Sequence, residues 1–130
     1  MWHPERMGTT LGEQLAKAMV AKDADTLRRV LADDVDFRAM TPGKFWESAS
    51  ADEVVDRIIL GRWFTPTDHL EALERVDAGS VGGREKVNYL LRGHNNDGPF
   101  LVEQHAYYDV VDDRITWLRV ACSGYRSVTG

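Results

Sequence analysis

The sequence predicts an α+β domain: a cone-shaped, curved antiparallel sheet wrapped around N-terminal helices. Three observations point there. Apolar residues in the first half recur mostly at helical spacing, with one strand among them. The second half alternates apolar and polar residues in four runs separated by turn residues. The 130 residues make one domain, and a chain of that length buries roughly two-thirds of its unfolded surface, enough for a single core. Helices followed by strands imply helices packed on one face of the sheet. The open end of such a cone is a natural pocket.

Thr10-Leu11-Gly12-Glu13 has the spacing of a capping box, and Leu11, Leu15, Ala18 and Met19 follow at helical intervals. Lys22-Asp23-Ala24-Asp25 breaks that helix, and Asp23 can cap a second one whose apolar side is Leu27, Val30 and Leu31. Val35, Phe37 and Ala39 alternate with Asp36 and Arg38 as a half-buried strand ending before Pro42-Gly43. Phe45-Trp46-Glu47 is a short extended piece. Ser50-Ala51-Asp52-Glu53 repeats the capping-box pattern and opens a third helix with the stripe Val54, Val55, Ile58, Ile59 and Trp63. Strands follow over Thr67–Asp77, Arg84–Arg92 (Val87, Tyr89 and Leu91 on one face), Phe100–Val111 and Arg114–Gly124. Asp112-Asp113 has the length of a two-residue hairpin turn, and Asn95-Asn96-Asp97-Gly98-Pro99 is a longer one.

Composition narrows the function. The net charge is −5, which argues against nucleic acid or an anionic membrane as partner, since both need clustered Lys and Arg. No apolar run approaches a membrane span, and Met1–Met7 holds no signal-peptide core. The one cysteine, Cys122, permits no intrachain disulfide and suits a reducing compartment, so a cytoplasmic protein is expected. The histidines are His3, His69, His94 and His105; none is spaced as a ligand pair, and no metal is expected.

The order of elements, Asp23-Ala24-Asp25-Thr26-Leu27 followed by Leu31-Ala32-Asp33-Asp34-Val35, and the closing hairpin Asp112-Asp113-Arg114-Ile115 resemble the nuclear transport factor 2-like superfamily, in its SnoaL-like branch. The resemblance covers about residues 9 to 126 of a single domain spanning 1–130. It implies a cystatin-like roll, a scaffold that cofactor-free ketosteroid isomerases, polyketide cyclases, dehydratases and epoxide hydrolases share with many domains of no known reaction. Ketosteroid isomerases use a carboxylate base with a tyrosine and a protonated acid as oxyanion donors. The corresponding positions here fall on Ala39 or Met40 for the base, about Leu15 for the tyrosine, and His105 or Ala106 for the acid. Two of the three roles are empty, so that mechanism is not expected.

Hairpin geometry supplies the remaining candidates. With Asp112-Asp113 as the turn, Tyr107 falls opposite Leu118 and His105 opposite Val120, and cross-strand partners share a face. We expect that face to line the pocket, although one β-bulge would reverse it. His105 and His69 are then candidates for acid–base work at neutral pH, with Tyr89 as a hydroxyl donor. Each also fits a plainer role, as a satisfied interface histidine, a surface histidine or a core aromatic. Trp46, Trp63, Tyr107, Leu118, Val120 and Phe37 are the candidate substrate-binding wall. The expected function is a small-molecule-binding domain, either an acid–base isomerase, cyclase, dehydratase or hydrolase acting on an apolar ligand without cofactor, or a non-catalytic ligand-binding or dimerisation domain. A homodimer through the outer sheet face is expected as well, because that face carries Trp117 or Tyr107 whichever parity holds.

Overall fold

The computed structural model describes residues 10–128; the readings for Met1–Met7 and His3 lie outside them. The elements run α1 (Leu11–Ala21), α2 (Ala24–Val30), β1 (Leu31–Thr41), β2 (Lys44–Ser48), α3 (Ala51–Glu53 as α-helix, then Val54–Trp63 as π-helix), β3 (His69–Val81), β4 (Arg84–Asn95), β5 (Gly98–Val111), β6 (Arg114–Cys122) and β7 (Arg126–Ser127). The expected α+β cone is present. The seven strands among the described residues lie in the order β2-β1-β6-β5-β4-β3, with the short β7 on β5. The sheet is mixed rather than wholly antiparallel, because β1 runs parallel to β6. Parallel neighbours need a long crossover between them, and here that crossover is everything from β2 to β5. No described helix is long and apolar enough to cross a membrane.

Local chemistry sets the helix ends. Thr10 and Glu13 form the reciprocal capping box. Asp23 accepts from the Thr26 amide, and Ser50 accepts from that of Glu53. Lys22 closes α1 in the left-handed region at φ 52°, and its ammonium donates to the carbonyls of Thr65 (2.7 Å) and Asp68 (2.5 Å). That side chain ties α1 to the loop after α3. Leu31, read with α2, instead begins β1. The π winding of α3 lets Val54, Ile58, Ile59 and Trp63 share a buried side at intervals of four to five. Gly61 permits it: a Cβ there would stand 2.5 Å from the Asp56 carbonyl oxygen.

The concave face packs Phe37, Val87, Tyr89, Leu91, Ala106, Tyr108, Ile115 and Leu118 against Leu15, Met19, Leu27, Val55 and Ile59 of the helices. α1 sits so close that the Gly12 amide donates to the Tyr108 hydroxyl at 3.0 Å.

The last hairpin corrects one expectation. Asp112 and Asp113 both have positive φ, 53° and 66°, as a type I′ turn requires. Val111 pairs with Arg114 and Val110 with Ile115, but Asp109 then pairs with Trp117, leaving Thr116 as a bulge. Beyond it, Tyr108 faces Leu118, Ala106 faces Val120 and Gln104 faces Cys122. One extra residue reverses the parity of β5. Gln104, Ala106 and Tyr108 therefore point into the cone, and His105 and Tyr107 point out of it with Trp117 and Arg119.

Candidate functional site

At the open end of the cone lies a pocket of about 330 Å³. The end of α3 delivers Trp63 and Phe64 to it. β5 contributes Val102 and Gln104, β6 contributes Cys122, and the β1–β2 turn contributes Thr41, Pro42 and Trp46. The segment Ser123–Tyr125 closes one side. Its sharp bend uses Gly124 at φ 72°, where a Cβ would meet the Pro42 ring at 2.9 Å.

An aromatic wall forms around Trp63. Trp46 meets it edge-on at 6.3 Å, Phe37 packs behind at 6.0 Å, and the Trp46 indole N–H is held by Thr41 Oγ1 at 2.9 Å. On the other side Tyr125 stacks edge-on against Phe100 at 4.5 Å. Its hydroxyl donates to the Trp63 carbonyl.

The polar groups of the pocket are few and neutral apart from Arg62 at its rim. Gln104 is fully buried. Its Oε1 accepts from the Tyr89 hydroxyl at 2.6 Å, while its Nε2 has no partner. Trp63 Nε1 is also buried without a partner. These two are the only such side-chain nitrogens among the described residues, and both line this pocket. A buried N–H without an acceptor costs about 1–3 kcal/mol, and both of these belong to residues that line this pocket. Burial pushes the Tyr89 and Tyr125 hydroxyls up from their ordinary pKa, the latter with help from Asp68, so both stay protonated donors.

Behind the pocket, Asp68 holds the loop leading to β3. Its carboxylate accepts from the Thr65 amide (2.9 Å), the Thr65 hydroxyl (3.0 Å) and Asn95 Nδ2 (3.0 Å). Burial alone would raise its pKa, but the hydrogen bonds from Asn95 and Thr65 outweigh that and hold it below the usual value.

No protein-family model matches the chain, and no curated protein matches it in sequence. Solved structures do. A LEH-like epoxide hydrolase from M. tuberculosis superposes with TM-score 0.63 at 18% identity, covering 87% of this chain and 80% of that one. A protein of ketosteroid isomerase-like fold from Catenulispora acidiphila, solved with trimethylamine, superposes with TM-score 0.64 at 15% identity over 88% of both chains. A protein of cystatin-like fold from Silicibacter pomeroyi gives TM-score 0.54 at 14% identity, covering 92% and 78%. The chain has the nuclear transport factor 2-like fold. At these identities the likeness is one of architecture, and a nuclear transport factor 2-like scaffold hosts many chemistries.

Within this fold the candidate residues divide between two cavities. His105 lies on the outer face, its Nε2 2.9 Å from Glu103 Oε2, and lines the groove there together with Trp46, Tyr107 and Val120. His69 is exposed, with its ring stacked on His94 at 4.9 Å. The two histidines thus do not meet in the pocket, and no carboxylate or imidazole lines it. Tyr89 does point inward, but its hydroxyl is engaged by Gln104. Trp46 and Trp63 line the pocket. Phe37, Leu118 and Val120 face the same interior as buried core, and Tyr107 is outside, 38% exposed. Of the positions expected to correspond to the isomerase base and tyrosine, Ala39 and Leu15 are buried apolar residues and Met40 is 51% exposed. No three His, Cys, Asp or Glu side chains among the described residues cluster as metal ligands.

Gln104 is the site residue that sequence reasoning missed. Its signal was present: a lone amide in the alternating series Val102, Gln104, Ala106 and Tyr108. The Thr116 bulge turned that series inward.

Proposed function

We propose that this protein binds an apolar small molecule carrying a hydrogen-bond acceptor, such as a ketone, in the pocket at the mouth of the cone. The observation that carries the reading is the pair of buried, unpartnered donors, Gln104 Nε2 and Trp63 Nε1, on residues of a mostly apolar and aromatic wall. Such a pocket orients a ligand by one or two polar contacts and holds it by apolar burial. The wall holds no carboxylate or imidazole, which favours ligand binding over acid–base isomerisation, cyclisation, dehydration or hydrolysis. Free Cys122 fits a reducing, cytoplasmic setting. The test is a titration followed by tryptophan fluorescence, comparing aryl ketones with hydrocarbons of the same shape. The ketone should bind about tenfold more tightly, and Gln104→Leu should remove most of that difference. Equal affinity for ketone and hydrocarbon would refute the role of the donors.

We further propose that the outer sheet face takes a second copy of this chain. Met40 and Phe45 are 51% and 79% exposed there, beside a groove of about 610 Å³ that also includes Tyr107 and Ala121. Trp117 is already covered, with Arg84 and Arg119 over its ring at 3.9 and 4.2 Å. The same face carries both signs of charge in the pairs Arg38–Glu47 and Arg119–Asp36. A two-fold axis can therefore set each sign opposite the other. Sedimentation should show a dimer that Phe45→Glu converts to a folded monomer; a wild-type monomer at high micromolar concentration would refute it.

A further inference from the structure

The pocket also contains the chain's one thiol. Cys122 is half-buried at the end of β6, directly across from Gln104 in the β5–β6 register, and it lines the same cavity as the two unpartnered donors. The Gly124 amide donates to its sulfur at 3.4 Å, which fixes the direction of the side chain. A cysteine alone is usually a small apolar filler. Here it stands with a fully buried amide whose Nε2 has no partner and with an indole N–H in the same condition. The soft nucleophile and the residues that carry the two donors thus line one cavity.

We propose that Cys122 captures α,β-unsaturated carbonyl compounds covalently, with Gln104 Nε2 and Trp63 Nε1 holding the carbonyl oxygen. The inference rests on the reading of this pocket as a ligand site. The sulfur bonds to the β-carbon and the C=C π bond opens. Its electron pair moves onto the carbonyl oxygen as an enolate, which the two N–H groups stabilise as charge develops. The proton released by the thiol returns at the α-carbon. The product is the saturated thioether, and no oxidant, reductant or leaving group takes part. The reaction class assigns the protein a scavenging or sensing role toward apolar enones, because the adduct occupies the pocket after it forms.

The test uses the full chain and benzylideneacetone as the probe, followed by intact-protein mass spectrometry. One adduct should form, and Cys122→Ser should abolish it. Labelling should be at least about tenfold faster than that of glutathione under the same conditions. Gln104→Leu should slow it about tenfold, as expected for one donor lost from the developing oxyanion. Trp63→Phe should do the same independently, guarding against a folding defect in either variant. Modification of Cys122 by dithiodipyridine, which has no carbonyl to hold, should change less than twofold in both. Labelling no faster than glutathione's, or enone and disulfide rates that fall together, would overturn the proposal. Benzylacetone, the saturated ketone, separates this failure from that of the binding reading. If it binds the Cys122→Ser protein while the enone fails to add, covalent capture alone is wrong; if it does not bind, the ligand site itself is wrong.

Discussion

Gln104 and Tyr89 form a buried pair that is incomplete by one acceptor, and replacing both at once should make the protein more stable. The Tyr89–Gln104 hydrogen bond of 2.6 Å has a net worth of about 0.5–1.5 kcal/mol, whereas the unpartnered Nε2 costs about 1–3 kcal/mol. Gln104→Leu alone relieves the second term but orphans the Tyr89 hydroxyl, whose other neighbour is Met19 Sδ at 3.9 Å; the two effects should nearly cancel. Tyr89→Phe alone leaves the whole amide unpaired and should cost about 1–3 kcal/mol. The double variant removes the polar side-chain atoms of this pair from a core that already accepts Leu and Phe, so it should gain about 1 kcal/mol, equivalent to a rise of about 3–5 °C in Tm. The assay is urea unfolding followed by tryptophan fluorescence, with the m-value unchanged between variants. The double variant should at the same time lose most ketone affinity, the pattern expected when a polar group is kept for binding rather than for stability. A double variant more than about 1 kcal/mol less stable than wild type would show that the amide is satisfied within the protein and would remove the basis for the binding site.

Three further outcomes follow from the packing. Gly12→Ala should destabilise by about 1–3 kcal/mol despite the better helix propensity of alanine, because its Cβ would meet the Tyr108 hydroxyl at 2.7 Å and Val87 Cβ at 2.8 Å; thermal unfolding reads this. Asp113→Gly should stabilise by about 0.5–1 kcal/mol, because Asp113 holds φ 66° at a turn position that suits glycine; calorimetry reads the rise in Tm. The folded-state pKa of Asp68 lies below its model-peptide value of 3.8, so the unfolded chain binds the proton more readily. Its contribution to stability is present above about pH 4 and fades as pH falls through the folded pKa. Asp68→Asn should therefore lower stability at neutral pH, and the two proteins should converge in acid when urea midpoints are compared across pH.

The parts of this fold that were readable in the sequence are those decided within a few residues. Thr10 with Glu13, Asp23, and Ser50 with Glu53 announce helix starts, and each forms its cap. The Asp112-Asp113 turn and the inward series Val87, Tyr89 and Leu91 are equally local. What escaped depends on distant partners. A bulge at Thr116 leaves no mark in an apolar–polar pattern that fits either parity, yet it moved His105 and Tyr107 outside and Gln104 inside. The π winding of α3, which brings Val54 and Trp63 onto one side, has no marker in the residues of the stripe themselves. The parallel pairing of β1 and β6 joins segments with nothing in their own residues to name each other. Of the residues expected at the site, Trp46 and Trp63 line the pocket at the mouth of the cone and His105, Tyr107 and Val120 line the outer groove, since the chemistry of a pocket follows from which way each strand turns.

That same parallel pairing has a consequence for how the chain comes into being. A ribosome releases β1 and β2 early, with Val35, Phe37 and Ala39 on the side that the finished fold buries, long before β6 exists to receive them. The hairpin edge must wait, unpaired, while β3, β4 and β5 are made, and contacts so far apart in sequence form slowly. The nascent chain therefore passes through an interval with an open strand edge and bare apolar side chains, the circumstance in which growing polypeptides aggregate or recruit chaperones. Emergence of β6, with the C-terminal tail still to follow, is the event that ends it.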